Sequence, residues 1–295
     1  MMKIYDCTTF YSEKMMLDVR FNILNEQIYK FIIVESAYSH SGEEKNFNFN
    51  IDDYPKFKDK IIYLKIDTQP PDLYKDPEKL KNPIYKRLNS IKRIEQSYDY
   101  MMNGISDAQD EDLIIISDND EIPNLNSIKF KESNKNFFIF KQLMFYYKFN
   151  LLHELMPWFG SKACKKKYLK SFAWLKNLKN KKYPMWRIDA YFSYLKETNL
   201  EIIGNGGWHF TNLKTPQEMF EKLSNYGHHN EFEESGTTVE DLKNQMENKI
   251  VAYNHKLDKN KNRHKNFEYK LKRIDELYLP EYLIKNKDKY KIWFD

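Results

Sequence analysis

Cysteine is scarce in this chain, and its scarcity argues against two kinds of structural site. Cys7 and Cys164 are the two cysteines among 295 residues, and they are not arranged as a CxxC motif. Structural zinc sites and disulfide frameworks need several cysteines at characteristic spacings. The sequence therefore predicts neither of them, and Cys7, inside a predicted strand, is expected to be a small buried hydrophobe.

Long apolar runs are missing as well. No stretch approaches the roughly 20 apolar residues that a helix needs to span a bilayer. The first predicted strand begins directly after Met1 and Met2, which leaves no room for a signal peptide. We therefore expect a soluble, cytoplasmic protein, and we leave its oligomeric state and any peripheral membrane contact open.

A strong excess of one charge is also missing. Lys and Arg number 48 against 43 Asp and Glu, and so mild a basic excess does not require a nucleic-acid partner. Hydrophobic residues make up 41% of the chain, with 22 Tyr and 20 Phe, which is enough for a sizeable core. We therefore expect a globular protein that does not bind nucleic acid.

What the sequence does contain is a buried strand that ends in acids. Leu113–Ile116 is a continuous apolar run, which is typical of a strand covered on both faces. Asp118-Asn119-Asp120-Glu121 follows it, and Pro123 cannot continue a central strand. Asp118 and Asp120 are two positions apart, so their side chains face the same way on an extended backbone. Hard oxygen ligands of this kind suit Mg²⁺ or Mn²⁺ better than zinc.

Strand and helix patterns alternate up to this acidic sequence. Helices are predicted after the first strand and across Ile84–Ile105, and strands at Lys3–Thr8, Lys30–Glu35, Lys60–Ile66 and Leu113–Ile116. Such an alternation predicts a parallel sheet with right-handed crossovers, whose ligands bind beyond the carboxyl ends of the strands. We therefore expect an α/β fold. Residues 1–235 would form one domain with a mostly parallel nucleotide-binding sheet flanked by helices, and residues 236–295 a helical C-terminal extension packed on it.

Several short motifs follow one another in an order that resembles a known enzyme family. They are Tyr5-Asp6-Cys7-Thr8-Thr9-Phe10, Arg20, Val34-Glu35-Ser36, Ser39-His40-Ser41-Gly42, Ser117-Asp118-Asn119-Asp120-Glu121-Ile122-Pro123 and Gly207-Trp208-His209-Phe210-Thr211. Together they resemble glycosyltransferase family 17, the β-1,4-N-acetylglucosaminyltransferase-like family. The resemblance implies a GT-A-like fold, a divalent metal (Mn²⁺ or Mg²⁺), and inverting transfer of a sugar from a nucleotide-sugar to a glycan or polysaccharide. The donor in the characterised branch is UDP-GlcNAc.

The resemblance also implies roles for the acidic DXD motif and its partner. Asp120 would coordinate the metal that bridges the donor diphosphate. Asp118 would contact the ribose, or the metal through water. His209 would be a further metal ligand, brought to the sheet by the close backbone approach that Gly206 and Gly207 permit.

Three further residues are predicted to contact the donor. Thr8 lies near the carboxyl end of the first strand. Glu35 closes the second strand at the same edge and is assigned either to the nucleoside or to a buried ion pair. Arg93 stands where the family commonly has an arginine, and it is either a phosphate contact or an exposed helix charge.

Transfer also needs a base that removes the proton from the acceptor hydroxyl. Chain position alone makes Asp189 the first candidate for this base, with Glu231 or Glu233 behind it. Sequence order does not place any of them within hydrogen-bonding distance of an acceptor.

Two other functions are weighed against sugar transfer. A nucleotidyltransferase also pairs acids with a metal-bound nucleotide on an α/β sheet, but it favours a glycine-rich loop after the first strand, and Thr8–Ser12 contains no glycine. A non-catalytic sugar-binding protein would have lost its acids, whereas Asp118 and Asp120 are both present.

Overall fold

The predicted alternation of strands and helices in the first part of the chain is confirmed. The computed structural model describes residues 2–184, 186–225, 232, 235–252 and 268–295. Its first elements are β1 (Ile4–Thr9), α1 (Lys14–Leu24), β2 (Lys30–Ser36), β3 (Ile61–Ile66), α2 (Pro77–Leu80), α3 (Pro83–Asp99) and β4 (Leu113–Ser117). The four strands are parallel, in the order β4-β1-β2-β3, so their carboxyl ends meet at one edge.

The rest of the chain widens this sheet and builds a second one. Its elements are β5 (Glu121–Pro123), β6 (Phe137–Phe140), β7 (Leu143–Tyr146), β8 (Leu151–Leu152), β9 (Lys162–Lys165), α4 (Phe172–Asn177), α5 (Ile188–Tyr191), β10 (Leu200–Ile203), β11 (Gly207–Thr211), α6 (Pro216–Asn225), α7 (Val239–Glu247), β12 (Ile250–Val251), β13 (Tyr269–Lys270), β14 (Lys272–Arg273) and α8 (Glu281–Lys285). In the described residues the main sheet has the order β10-β6-β9-β4-β1-β2-β3, and the second sheet has the order β14-β8-β7-β11-β5. The main sheet is mostly parallel, with β9 antiparallel to both of its neighbours.

Strand β4 is buried on both faces, as its unbroken apolar run predicts. Leu113 and Ile115 pack into the hydrophobic cluster on the α1 side of the main sheet. Ile114 and Ile116 pack into the cluster on the opposite side, which includes Trp174 of α4. Alternate side chains of a strand point to opposite faces, so one apolar run serves both halves of the core.

The C-terminal part is less helical than the sequence predicts. Helices α7 and α8 are present, but β14 pairs with β8 and so extends the second sheet. Leu279, Leu283 and Tyr290 pack into the same hydrophobic cluster as α1. The purely helical extension is therefore not confirmed, because two-residue strands leave no readable alternation in a sequence. The domain boundary at residue 235 and the GT-A type of the fold stay predictions.

Two expectations from the missing sequence features can be compared with the structure. Cys7 and Cys164 are free and buried, and burial raises the pKa of each thiol. Across the described ranges, the helices are all too short or too polar to cross a bilayer.

Lys162, at the start of β9, is a buried lysine that holds the end of α4 against the main sheet. Its side chain is almost inaccessible, and Nζ donates hydrogen bonds of 2.6 Å to the backbone oxygens of Lys176 and Leu178. Burial, assisted by the nearby Lys176 ammonium, lowers the pKa of Lys162 to about 7. A neutral amine still carries two N–H groups, so both hydrogen bonds survive deprotonation.

The buried amine of Lys162 should make the stability of the protein depend on pH. Between pH 7 and the ordinary lysine pKa of 10.5 the unfolded chain binds more protons at this position than the folded chain does. The contribution of Lys162 to stability therefore rises with pH in that window. Between pH 7 and 10 we expect the free energy of unfolding of the wild type to gain about 3 kcal/mol relative to Lys162→Met. Urea titrations at a series of pH values measure this difference.

Lys131, an exposed lysine, supplies the matched control. Lys131→Met should follow the wild-type pH dependence throughout the window. A constant difference between the wild type and Lys162→Met would contradict the assignment of Lys162 as a buried amine that is neutral in the folded state.

Candidate active site

A fully buried ion pair holds the acidic turn, residues 118–121, from beneath. Arg20 of α1 donates through Nε and Nη2 to the two carboxylate oxygens of Asp6 on β1, at 2.7 and 2.5 Å. Its Nη1 donates to the backbone oxygen of Glu121 at 2.7 Å and of Asp118 at 3.4 Å. The rigid guanidinium fork can serve several acceptors at once. Arg20 therefore links the first strand and helix to the turn that carries the acids.

Glu121 points into the protein and does not face the edge of the sheet. Its Oε1 accepts from Trp158 Nε1 at 2.6 Å, and its Oε2 accepts from the backbone N of Asp118 at 2.8 Å and from Lys176 Nζ at 2.5 Å. A Cβ on Gly160 would lie 2.2 Å from the carboxylate carbon, so a larger residue there would displace the Glu121 side chain from this position. Of the three acids, Glu121 is thus the one that fixes the shape of the turn.

Asp118 is the most exposed acid of the turn, with 38% of its side chain accessible. Tyr98 donates to Oδ1 at 2.7 Å, and Lys176 Nζ lies 3.1 Å from Oδ2. Burial opposes ionisation, but the Lys176 ammonium and the Tyr98 hydroxyl outweigh it and lower the pKa of Asp118 below its usual value. Asp118 is therefore a negatively charged acceptor, held in one orientation at the edge of the sheet.

Lys176 is a functional residue that sequence reasoning missed. It lies on α4 with its side chain 14% accessible, and its ammonium forms ion pairs with both Asp118 and Glu121. The segment around it stands out in the sequence for its many lysines, which usually indicates a solvated face. A lysine directly after Trp174 and Leu175 in an apolar helix is the signal that could have identified it.

Asp120 faces His209 across the start of the second sheet. His209 Nε2 lies 3.4 Å from Asp120 Oδ1, and Lys222 Nζ of α6 lies 3.9 Å from Oδ2. Burial opposes ionisation of this acid too, but His209 and Lys222 lower the pKa of Asp120 far below its usual value. His209 is buried and stacks on Trp158, and its Nδ1 has no hydrogen-bond partner.

Two glycines allow the strand of His209 to reach the acidic turn, as the sequence predicts. A Cβ on Gly206 would lie 2.4 Å from the backbone N of Lys141. A Cβ on Gly207, where φ is +113°, would lie 2.2 Å from the backbone O of Ile122. Without these side chains β11 pairs antiparallel with β5, and His209 comes to lie opposite Glu121.

The predicted metal ligands separate into a pair and a single residue. Among the side chains of the described residues, no three His, Cys, Asp or Glu groups are arranged to hold a metal together. Asp120 and His209 face each other, whereas Asp118 is turned toward Tyr98 and Lys176. Neighbouring ligands of an octahedral ion with bonds of about 2.1 Å lie about 3 Å apart, close to the 3.4 Å between Asp120 and His209. Mg²⁺ commonly takes one or two protein ligands and completes its shell with substrate phosphates and water. The pair fits such an ion.

The residues predicted to contact the donor take different positions around this edge. Thr8 is buried opposite Ser117, one residue before the end of β1. Arg93 is partly buried, and it donates to Gln69 Oε1 at 2.9 Å and to the backbone O of His40 at 3.1 Å. It lines a cleft between α3 and the segment that follows β3, and so it is not simply an exposed helix charge.

Glu35 has the second of the two roles considered for it, that of a buried ion-pair partner. Its side chain is inaccessible and pairs with Lys45 Nζ at 2.5 Å. It also accepts from the backbone N of Asn48 and Phe49 and from the hydroxyl of Tyr63. These bonds hold residues 45–49 over the carboxyl end of β2. A contact of Glu35 with the nucleoside stays a prediction.

His40, which lies near the site, is a second residue for which the sequence predicted no role. Burial lowers the pKa of its imidazole, against the opposing charges of Asp118 and Glu13. His40 is therefore a neutral imidazole at pH 7, close to the carboxylate of Asp118. Its backbone oxygen meanwhile accepts from Arg93.

The first candidate for the base, Asp189, forms its ion pairs away from the acidic turn. Asp189 is exposed and paired within its own segment, with Arg187 at 2.6 Å and Lys196 at 2.7 Å. These two cations hold the pKa of Asp189 far below its usual range, which makes it a weak base. Glu231 and Glu233 lie outside the described residues. The identity of the base stays a prediction.

The buried ion pair makes a prediction about stability. Arg20→Met leaves the Asp6 carboxylate buried without its cation, and we expect a loss of about 3 kcal/mol in the free energy of unfolding. The double variant Asp6→Asn/Arg20→Met removes that uncompensated charge and should recover part of the loss. Urea denaturation measures both. Arg273→Met, at an exposed arginine, is the control, and an Arg20→Met variant as stable as that control would contradict the prediction.

Comparison with known proteins identifies the family of the chain. The model of the family described as glycosyltransferase family 17 matches residues 1–294. A search among curated proteins finds no significant match. The family match covers the acidic turn, the Arg20 ion pair and the β11 strand of His209. The chain therefore belongs to glycosyltransferase family 17 and is a glycosyltransferase, which takes a sugar donor and an acceptor.

Proposed function

We propose that the chain is a metal-dependent inverting glycosyltransferase that moves N-acetylglucosamine from UDP-GlcNAc to a hydroxyl of a glycan or polysaccharide. The observation that carries this proposal is the Asp120–His209 pair next to the ionised Asp118, at the carboxyl edge of four parallel strands. The preference for UDP-GlcNAc rests on the family resemblance. Membership of the family favours sugar transfer over nucleotidyl transfer and over sugar binding without catalysis.

In this proposal each side chain of the acidic turn has a distinct task. Asp120 and His209 would hold Mn²⁺ or Mg²⁺, which supplies a Lewis acid for the charge of the leaving diphosphate. Asp118 accepts hydrogen bonds from the donor ribose, because Tyr98 and Lys176 keep it ionised and oriented.

Two cationic side chains stand near the place of the diphosphate. Lys222 lies 3.9 Å from Asp120 and donates to Asn212 Oδ1 at 3.1 Å, which keeps its ammonium beside the pair. Arg93 lines the cleft next to α3 and adds a second positive charge on the donor side. Charge-assisted bonds from such groups stabilise phosphate oxygens. Of the candidates for the base, Asp189 is weakened by its two cations, so the proposal assigns the acceptor side to Glu231.

The first test of this proposal removes one charge from the pair. Asp120→Asn keeps the volume of the side chain but not its charge. We expect it to lower the rate of Mn²⁺-dependent UDP release from UDP-GlcNAc by roughly 100-fold. Thermal shift should show that UDP-GlcNAc with Mn²⁺ stabilises the wild type and not the variant. Asp110→Asn, at an exposed acid, serves as the control.

Several outcomes would contradict the proposal. Full activity of Asp120→Asn would exclude the pair as the metal site. Stabilisation by UDP-GlcNAc that does not depend on a divalent ion would contradict metal dependence. A larger stabilisation by nucleoside triphosphates than by nucleotide-sugars would favour the nucleotidyltransferase.

The second test concerns the cation that neutralises Asp118. Lys176→Met removes the charge that lowers the pKa of Asp118, so that this pKa rises. The acid side of the pH profile of kcat/KM should therefore move to higher pH, because Asp118 is protonated sooner as the pH falls. We also expect KM for the donor to increase roughly tenfold.

Lys176→Arg keeps the charge, so its pH profile of kcat/KM should match that of the wild type on the acid side. UDP release measured across the pH range compares the two variants directly. Identical profiles for Lys176→Met and the wild type would show that Asp118 does not depend on this lysine.

A further inference from the structure

The 179–196 segment, which follows α4, exposes large apolar side chains to solvent. Those described are Trp186, Ile188, Phe192 and Tyr194, with 77%, 71%, 87% and 63% of their surfaces accessible. Single exposed apolar residues are common on soluble proteins, but several large ones on one short segment indicate an interaction surface.

The same segment is strongly basic. It carries one acid, Asp189, and five basic residues: Lys179, Lys181, Lys182, Arg187 and Lys196. Asp189 is already paired with Arg187 and Lys196. Lys179, Lys181 and Lys182 are exposed next to the apolar side chains, so the surface as a whole is apolar and positively charged.

Contacts with the main domain hold the two ends of the segment together. The backbone N of Lys179 donates to the backbone O of Leu195 at 2.9 Å, and Trp174 Nε1 of α4 donates to the backbone O of Tyr194 at 2.7 Å. Lys170 lies over the rings of Trp174 and Tyr194. The exposed side chains are thus presented from a segment whose base is fixed on α4.

We propose that the 179–196 segment binds the surface of an anionic lipid bilayer. Trp186, Ile188 and Phe192 enter the boundary between headgroups and acyl chains, and Tyr194 lies at headgroup level, where Trp and Tyr side chains are enriched. The exposed lysines contact the lipid phosphates, and the two kinds of contact together give stable peripheral binding.

The exposure of these side chains favours lipid over a protein partner. Residues that dominate protein interfaces fill well-packed pockets on the partner and cluster at the centre of a larger contact area. Here the four apolar side chains are 63–87% exposed, and exposed lysines, which protein interfaces disfavour, stand in the same segment. A fluid anionic surface accommodates both features without shape complementarity.

This inference goes beyond the proposed function and does not depend on it. Helix α4 supports the segment and also carries Lys176, which contacts the acidic turn. Binding through the segment would therefore bring the active site close to a lipid surface, where membrane-linked acceptors are found.

Flotation with lipid vesicles tests the proposal on the full chain. We expect the wild type to float with vesicles of phosphatidylcholine and phosphatidylglycerol, to stay behind with phosphatidylcholine alone, and to detach in high salt. The double variant Trp186→Ser/Phe192→Ser should bind the anionic vesicles at least roughly tenfold more weakly. Lys181→Glu/Lys182→Glu should weaken binding as well.

Leu277→Ser/Ile292→Ser is the matched control, because both side chains are exposed and belong to the C-terminal part that packs on the opposite side of the main sheet. This variant should float like the wild type. Circular dichroism should show that all variants are folded. The proposal is overturned if the wild type does not float with anionic vesicles, if it binds neutral vesicles equally well, or if the two apolar double variants lose binding equally.

Discussion

The bidentate pair of Arg20 with Asp6 is the interaction on which the geometry of the site depends. Both side chains are fully buried, so their charges must satisfy each other and leave few hydrogen-bonding groups unused. The remaining N–H groups of Arg20 reach the backbone of the acidic turn. Without this support, repulsion between the carboxylates of the turn would push them apart. Here Arg20 fixes the backbone of the turn from below, and the side chains of Asp118 and Asp120 are left to face the edge of the sheet.

The acids of the turn are kept ionised by neighbours that come from other parts of the chain. Lys176 comes from α4, Lys222 from α6 and His209 from β11. Each of them opposes the cost of burying a carboxylate, so the acids stay negatively charged in a partly buried site. The three acids therefore have different roles. The carboxylate of Glu121 is hydrogen-bonded in the protein interior, while Asp118 and Asp120 face the edge of the sheet.

The sequence predicted those features that are local in the chain. The strands of the first half and the acidic turn at their edge follow from short-range patterns and are present, whereas the approach of β11 through Gly206 and Gly207 was implied by the family resemblance. The role of Lys176 depends on packing between distant elements, so the sequence could single out its apolar helix but not the acids that it contacts. The short strands of the C-terminal part are determined by their partners in the second sheet, as β14 is by β8, so a pattern-based prediction gave helix.

Three features that are separate in the sequence meet at helix α4: the buried Lys162, the ion pairs of Lys176 and the exposed 179–196 segment. Lys162 fixes the carboxyl end of the helix by two hydrogen bonds, and a charged amine there would be costly to bury. Lys176, near the same end, lies between Asp118 and Glu121. The basic and apolar 179–196 segment starts from this fixed point. The hydrogen bonds from Lys162 therefore support two features at this end of α4, the position of Lys176 at the acidic turn and the start of the exposed segment.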